Sequence, residues 1–225
     1  MRMQLLSNFQ IAIVANGVNY AYDYDPKSNL TDHQNTLTSD DRWSQTATAD
    51  PVSDITDAQD TIEDDTGTKP TRAICTKSTW KYLLNNDNIL NDMDAKGYVG
   101  NTNANVNDNM LKRYLMEELD LTVAIYNKKY SLSVKNQSAQ NFFPDDVFTL
   151  IPDQGTLGNT YYGTTPEESD LMSGQSDADV QIVDTGIAVT TKTISTPVNV
   201  ESIVSGIMLP SFERIEEVYI LNVNG

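Results

Sequence analysis

The sequence predicts an α+β fold, in which strands outnumber helices and do not alternate with them, and three observations carry that reading. Residues 43–84 hold one well-punctuated amphipathic helix between two tryptophans. Residues 9–24 alternate around Asn16-Gly17 as a hairpin does. The C-terminal part is built mainly of alternating, β-branched runs.

The helix comes first because its punctuation is the clearest. Asp50 is a good N-cap, since its carboxylate accepts free amide protons of the first turn. Pro51 then fits the first helical position, where a missing N–H costs nothing. Val52, Ile55, Ala58 or Gln59, and Ile62 recur at three- to four-residue spacing as one narrow apolar stripe, suited to lying on a sheet. Asp54, Asp57, Asp60, Asp64 and Asp65 occupy the other side, with no Lys or Arg between Pro51 and Gly67. Gly67 and Pro70 stop the helix. That acidic face is expected to meet solvent or a partner that tolerates negative charge. The run Arg72-Ala73-Ile74-Cys75 reads as a short strand, and a second capped helix opens at Thr76 or Ser78, presenting Trp80, Leu83 and Leu84.

In the hairpin, Phe9, Ile11 and Ile13 alternate on one strand and Val18, Tyr20, Tyr22 and Tyr24 on the other, joined by the tight primed turn that Asn-Gly favours. A two-stranded ribbon is marginal alone, so this one should lean on another body. Residues 25–49 read as a polar loop, and the Asn- and Asp-rich residues 85–108 as an irregular exposed excursion. A third helix runs from Asn107 or Asp108 to Leu119, burying Met110, Leu111, Tyr114, Leu115 and Leu119. A second hairpin is expected from residues 121–126 and 130–134, then a buried strand over Val147–Ile151. Residues 153–177 read as a long loop, 180–194 as one long strand, and 198–223 as two more strands around Leu209-Pro210-Ser211.

Composition narrows function. The chain of 225 residues can bury a real core. Fifteen basic against thirty-two acidic residues leave a formal charge of −17, which argues against binding a nucleic-acid backbone or docking on an anionic membrane. No run approaches the roughly 20 apolar residues of a membrane span. The N-terminus makes a poor signal peptide, so a cytoplasmic product is expected. The single cysteine, Cys75, excludes an internal disulfide and reads as a buried inert thiol.

Catalytic signals are weak. Asp-Thr-Gly occurs at Asp65-Thr66-Gly67 and at Asp184-Thr185-Gly186, and the second resembles an aspartic-protease half-site. The first ends an acidic helix with no apolar strand beside it, so the pair fails the requirement for two carboxylates sharing a proton. Asp184→Asn tests the remaining protease reading. His33, the only histidine, is expected to be a solvated loop residue with nothing marking it as oriented. Metal sites built on several His or Cys are excluded by count. Asp87, Asp92 and Asp94 carry oxygen ligands, but their spacing does not match a calcium loop. No cofactor, no metal and no enzymatic activity are expected.

Several segments, taken in order, resemble the major capsid proteins of tailed phages typified by the lambda major head protein. They are Met3-Gln4-Leu5-Leu6-Ser7 leading into the Asn16-Gly17 hairpin, Asp23-Tyr24-Asp25, Trp43, Ala49-Asp50-Pro51-Val52-Ser53-Asp54-Ile55, Gly67 with Lys69-Pro70-Thr71, and Trp80-Lys81-Tyr82-Leu83. Further on come Tyr126-Asn127-Lys128-Lys129-Tyr130, Phe143-Pro144-Asp145-Asp146, Leu157-Gly158, Tyr162-Gly163-Thr164-Thr165-Pro166-Glu167, and Gly206 with Leu209-Pro210-Ser211. No single segment is specific; their joint order is.

The resemblance implies the tailed-phage and herpesvirus capsid fold, of the Hong Kong ninety-seven type. Residues 1–48 would be an N-terminal segment and extended hairpin loop, 49–69 a spine helix of the peripheral domain, 70–197 an axial domain, and 198–225 returning peripheral strands. The implied role is a structural subunit that self-assembles into hexamers and pentamers of an icosahedral shell around packaged DNA, in the virion, after assembly in the bacterial cytoplasm. Scaffold, portal and decoration proteins are the implied partners, and an acidic inner wall along which DNA slides is a further expectation. Tyr20, Tyr22, Tyr24, Asp54, Asp57, Tyr161 and Tyr162 are the candidate subunit contacts. Family members carry more chain before the Met-Gln segment, so a fragment, an internal start or a truncated homologue is expected. The competing reading is an acidic, β-rich tail, decoration or carbohydrate-binding module.

Overall fold

A computed structural model describes residues 2–15, 18–98, 106–131, 139–153, 155–173, 179–184, 186–195 and 198–225. They fall into two compact units, Met1–Gly155 with Arg214–Gly225, and Thr156–Glu213. The first unit begins with α1 (Arg2–Asn8), β1 (Gln10–Ala15), β2 (Val18–Asp23) and β3 (Gln34–Thr36). It continues through α2 (Pro51–Thr66), β4 (Arg72–Cys75), α3 (Lys77–Leu84), α4 (Asp87–Ala95), α5 (Asp108–Leu119), β5 (Thr122–Ile125), β6 (Lys129–Tyr130), β7 (Gln140–Asn141) and β8 (Val147–Ile151). The second unit holds β9 (Thr160–Gly163), α6 (Pro166–Ser173), β10 (Asp179–Asp184), β11 (Ile187–Ser195) and β12 (Val198–Pro210). The chain then returns to the first unit with β13 (Tyr219–Asn222).

A five-stranded sheet in the order β3-β13-β8-β4-β5 is the frame of the first unit. The β13–β3 and β4–β5 pairs are parallel, and β8 runs antiparallel to both β13 and β4. Alternation sorts its residues between two faces. Ala73, Cys75, Val123, Phe148, Leu150, Tyr219 and Leu221 join the main core with residues of α2 to α5. Ile74, Thr149 and Ile220 point the other way, and there Thr149 Oγ1 donates to the Leu6 carbonyl of α1 at 2.5 Å.

Helix α2 forms as its punctuation predicts. Asp50 accepts the Ser53 amide proton (3.2 Å), Pro51 opens the helix, and Gly67 closes it at φ 72°, a left-handed conformation suited to glycine. Ile55, Ala58, Gln59 and Ile62 are buried, and each isoleucine contributes about 1.5–3 kcal/mol by leaving water. Gln59 Nε2 donates to the carbonyls of Pro70 (2.8 Å) and Leu119 (3.1 Å), tying the helix to the approaches of β4 and β5. Helix α3 is capped by Thr76 and α5 by Asn107, and Cys75 is fully buried, as expected.

Five expectations need correction. The Asn-rich excursion contains α4, capped by Asn86 through the Ile89 amide (3.0 Å) and burying Ile89 and Met93; its polar composition hid an i, i+4 apolar pair. Among the described residues the second hairpin makes no pairing: β5 pairs in parallel with β4 while β6 pairs with β7, and residues 132–134 of its return strand lie outside the described residues. The 153–177 loop holds β9 and α6. The single strand over 180–194 is two, β10 and β11, antiparallel across a turn at Gly186. Residues 25–49 are loop-like, yet they contribute β3 and bury Trp43 and Leu37. The N-terminal hairpin forms with Ile11 opposite Tyr22, and its predicted Asn16-Gly17 turn lies outside the described residues.

Candidate functional site

Three surfaces hold the candidate residues. On the hairpin, Tyr20 and Tyr22 are 58% and 56% exposed, whereas Tyr24 is half-buried and meets Tyr22 edge-on at 4.8 Å between ring centroids. Burial, and then the neighbouring Tyr22, push the Tyr24 phenol above its ordinary pKa. The Tyr22–Tyr24 contact runs along one strand, so this pair is partly occupied within the hairpin and Tyr20 presents the freer ring.

On α2 the acidic residues divide. Asp54 is half-buried because Trp43, itself fully buried, donates its indole N–H to Asp54 Oδ2 at 2.8 Å. Burial raises the Asp54 pKa, the indole bond opposes that, and Asp50, Asp41 and Asp57 add to it. At the other end of the helix Asp65 pairs with His33 Nε2 at 2.8 Å. His33 is therefore not the expected solvated histidine. It is buried, it stacks near Tyr219, and its Nδ1 has no partner among the described residues. The 25–49 loop thus straps across α2 through two ring N–H groups. Asp57, Asp60 and Asp64 are left exposed at three- and four-residue spacing.

The third surface is the four-stranded sheet of the second unit. Strand β12 pairs with β11 through residues 198–206 and with β9 through residues 207–210. Val200, Val204 and Met208 on one parity, and Ile203, Ile207 and Leu209 on the other, are between 44% and 69% exposed. Tyr161 and Tyr162 on β9 are 58% and 50% exposed. The sequence signal for this surface was a strand apolar on both parities, which is the pattern of a strand covered on both faces.

The segments that carried the resemblance meet in space. Ser211 N–H donates to the Asn159 carbonyl (2.7 Å), Asn159 N–H to Ser211 Oγ (2.8 Å), and a Cβ on Gly158 would sit 2.3 Å from the Ser211 carbonyl. Glu213 collects Ser211 Oγ, Asn159 Nδ2 and Tyr161 Oη, and the Ser211 hydroxyl foremost holds its carboxyl below the usual range. In the first unit Thr76 Oγ1 donates to Asp145 (2.6 Å), Tyr82 Oη to Asp146 (2.9 Å), and the Lys77 amide to Asn127 Oδ1 (2.9 Å).

The two Asp-Thr-Gly copies have structural settings. Gly67 caps α2, and Gly186, at φ 74°, makes the β10–β11 turn, where a Cβ would lie 2.8 Å from Tyr162 Cβ. Thr185 lies outside the described residues. Of the three aspartates whose spacing did not match a calcium loop, Asp92 is held by Lys96 (2.8 Å) and Tyr114 Oη (2.6 Å). No group of three His, Cys, Asp or Glu able to hold a metal occurs among the described residues. Nor is any helix of the described residues long and apolar enough to cross a membrane.

Comparison with known proteins follows from this geometry. Among solved structures, a protein assigned as the capsid protein of an E. coli CFT073 prophage superposes with a TM-score of 0.60 at 16% identity, over 98% of this chain and 60% of its own. A phage-related protein of Bordetella bronchiseptica RB50 superposes with a TM-score of 0.54 at 15% identity, over 88% of this chain and 58% of its own. The chain thus spans about 60% of the length of either neighbour, and at these identities the likeness establishes a shared mixed α+β fold. No curated protein matches by sequence. The model of the family described as phage major capsid protein E matches residues 1–223, and the chain belongs to that structural, non-enzymatic family.

Proposed function

We propose that this chain is a subunit of an icosahedral phage head, assembling with copies of itself into hexamers and pentamers that enclose packaged DNA. The observation that carries the reading is β12. A thirteen-residue strand with large apolar side chains exposed on both parities needs covering bodies on two sides, which a shell of repeated subunits provides. The family and the fold support the same reading. The finer fold, of the Hong Kong ninety-seven type, belongs to this proposal, with the two compact units as two domains of one subunit. So do the contact roles of Tyr20, Tyr22, Tyr161 and Tyr162, and scaffold, portal and decoration proteins as partners.

Asp54 is the weakest of the candidate contacts, since Trp43 already occupies its carboxylate. Asp57 is exposed, and its carboxylate has no hydrogen-bond or ion-pair partner among the described residues. The chain's formal charge of −17 makes its dealings with DNA non-specific, a matter of enclosure and not of recognition.

The test is negative-stain microscopy with light scattering on the purified chain at low and high salt. Rings or shells of five- and sixfold symmetry are expected, favoured by salt that screens the net charge. A small ring of fixed stoichiometry, indifferent to concentration, would point instead to a tail or decoration module.

A further inference from the structure

The chain is strongly acidic, yet one cleft is basic. Lys77, Lys81 and Lys129, with Asn127, Asn141 and Asp145, line a concave space of about 340 Å³ where the C-terminal ends of β4 and β5 meet the start of α3. All three lysines are exposed, and none has an ion-pair partner within 4 Å among the described residues. The one carboxylate in the lining, Asp145, accepts from the neutral Thr76 Oγ1 (2.6 Å) and Asn141 Nδ2 (3.0 Å) and is in no ion pair with a lysine among the described residues. Three lysines against one aspartate leave the cleft net positive.

The complement lies on the same unit. Asp57, Asp60 and Asp64 form an exposed row on α2, whose flanking Asp54 and Asp65 are taken by Trp43 and His33. Like charges at this spacing repel one another, a cost that an opposing basic surface offsets. Within one chain no ion pair joins the two patches among the described residues. Helix α2 packs toward β13 and reaches, through Gln59, the N-terminal approaches of β4 and β5, whereas the cleft lies at the C-terminal ends of those strands.

The geometry points to a heterologous contact between copies, in which the Asp57-Asp60-Asp64 row of one subunit seats in the Lys77-Lys81-Lys129 cleft of the next. This deepens the assembly reading above and rests on it. Two different patches of one subunit join head to tail, and such a contact closes into a ring when the rotation per subunit allows. It also takes the α2 acidic row away from a DNA-facing wall. Its attraction weakens with salt, whereas association through the apolar β12 surface strengthens, so ionic strength separates the two contacts.

The experiment uses the full chain, mixed from unlabelled and nitrogen-15-labelled protein and treated with a carbodiimide, which joins lysine to carboxylate at contact distance. Mass spectrometry should find mixed-label peptides linking residues 51–66 to the segment bearing Lys77 and Lys81, or to Lys129. The variant Lys77→Glu/Lys81→Glu/Lys129→Glu and the variant Asp57→Lys/Asp60→Lys/Asp64→Lys should each lose about tenfold or more of that link. An equimolar mixture of the two should regain it, because each variant then finds its complement in the other. Oligomers that form without the link, or without any response to the two variants, overturn the contact and leave the capsid reading standing. A chain that stays monomeric at every salt concentration overturns both. Binding of a labelled DNA duplex that is lost in the lysine variant, with no link between copies, overturns the contact in favour of a nucleic-acid site.

Discussion

Replacing Val200 and Val204 by threonine and Met208 by glutamine should separate assembly from stability. The three residues share one parity of β12 and are 59%, 69% and 44% exposed in the single chain. Full burial of such a side chain contributes about 1.5–3 kcal/mol, so covering the exposed fractions supplies about 3 kcal/mol to each contact, a factor of about 150 in its association constant. Threonine keeps the branched shape that strands favour, so the backbone pairing of β12 with β11 and β9 is retained. The unfolding midpoint should move by no more than about 2 °C, because these side chains already face water. Sedimentation velocity across a concentration series, beside a thermal melt, measures both quantities. Ile203→Thr with Ile207→Thr, on the opposite parity, reports whether the second face is covered as well. An association constant within about threefold of the parent, in a variant that melts normally, would falsify the role given to this strand.

Three further outcomes are expected. Asp54 has a folded pKa raised above its unfolded value, so its ionisation works against folding at neutral pH, and stability is regained as pH falls from the folded toward the unfolded pKa. Asp54→Asn keeps an acceptor for the Trp43 indole and should stabilise the chain at pH 7, with the gain fading on acidification in urea titrations. Asp54→Ala strands that buried N–H and should cost about 1–3 kcal/mol. Asn86→Ala removes the cap of α4 and two donors, to the Ala49 (3.0 Å) and Thr46 (3.3 Å) carbonyls. It should cost about 2 kcal/mol, with amide exchange of α4 accelerating first. Burial pushes the Cys75 thiol up to about 12, so a thiol-specific aromatic disulfide should not react with the native chain at pH 8, and should react fully once the chain is unfolded in urea.

The parts legible in the sequence were those specified by near neighbours. The Asp50-Pro51 start and Gly67 stop of α2 act within a turn of the residues they cap, and the alternation of β1 and β2 acts across a short connection. Misreadings arose where the deciding partner is remote. His33 gave no sign of Asp65, 32 residues away, and Trp43 gave none of Asp54 on the far side of a helix cap. The β5 segment looked like half of a hairpin because its partner β4 is reached only across three helices. Asp184-Thr185-Gly186 reads as a catalytic triplet, although its glycine serves a turn where a side chain would strike Tyr162. The candidate surfaces were half legible. Tyrosines at strand spacing were visible, but the lysine cleft is assembled from three segments that only the fold brings together.

The position of β13 has a consequence for the time course of synthesis. This strand lies between β3 and β8, and among the described residues β3 pairs with no other strand. Thr36 therefore waits for Asn222 to leave the ribosome, an interval of roughly 10–40 s at about 5–20 residues per second. Strand β12 is complete only about twelve residues before Asn222, so nearly all of that wait falls on the first unit, whose five-stranded sheet lacks β13 between β3 and β8. A nascent chain therefore carries an unclosed first-unit sheet for most of its synthesis, and the unpaired edges of β3 and β8 are what it leaves open.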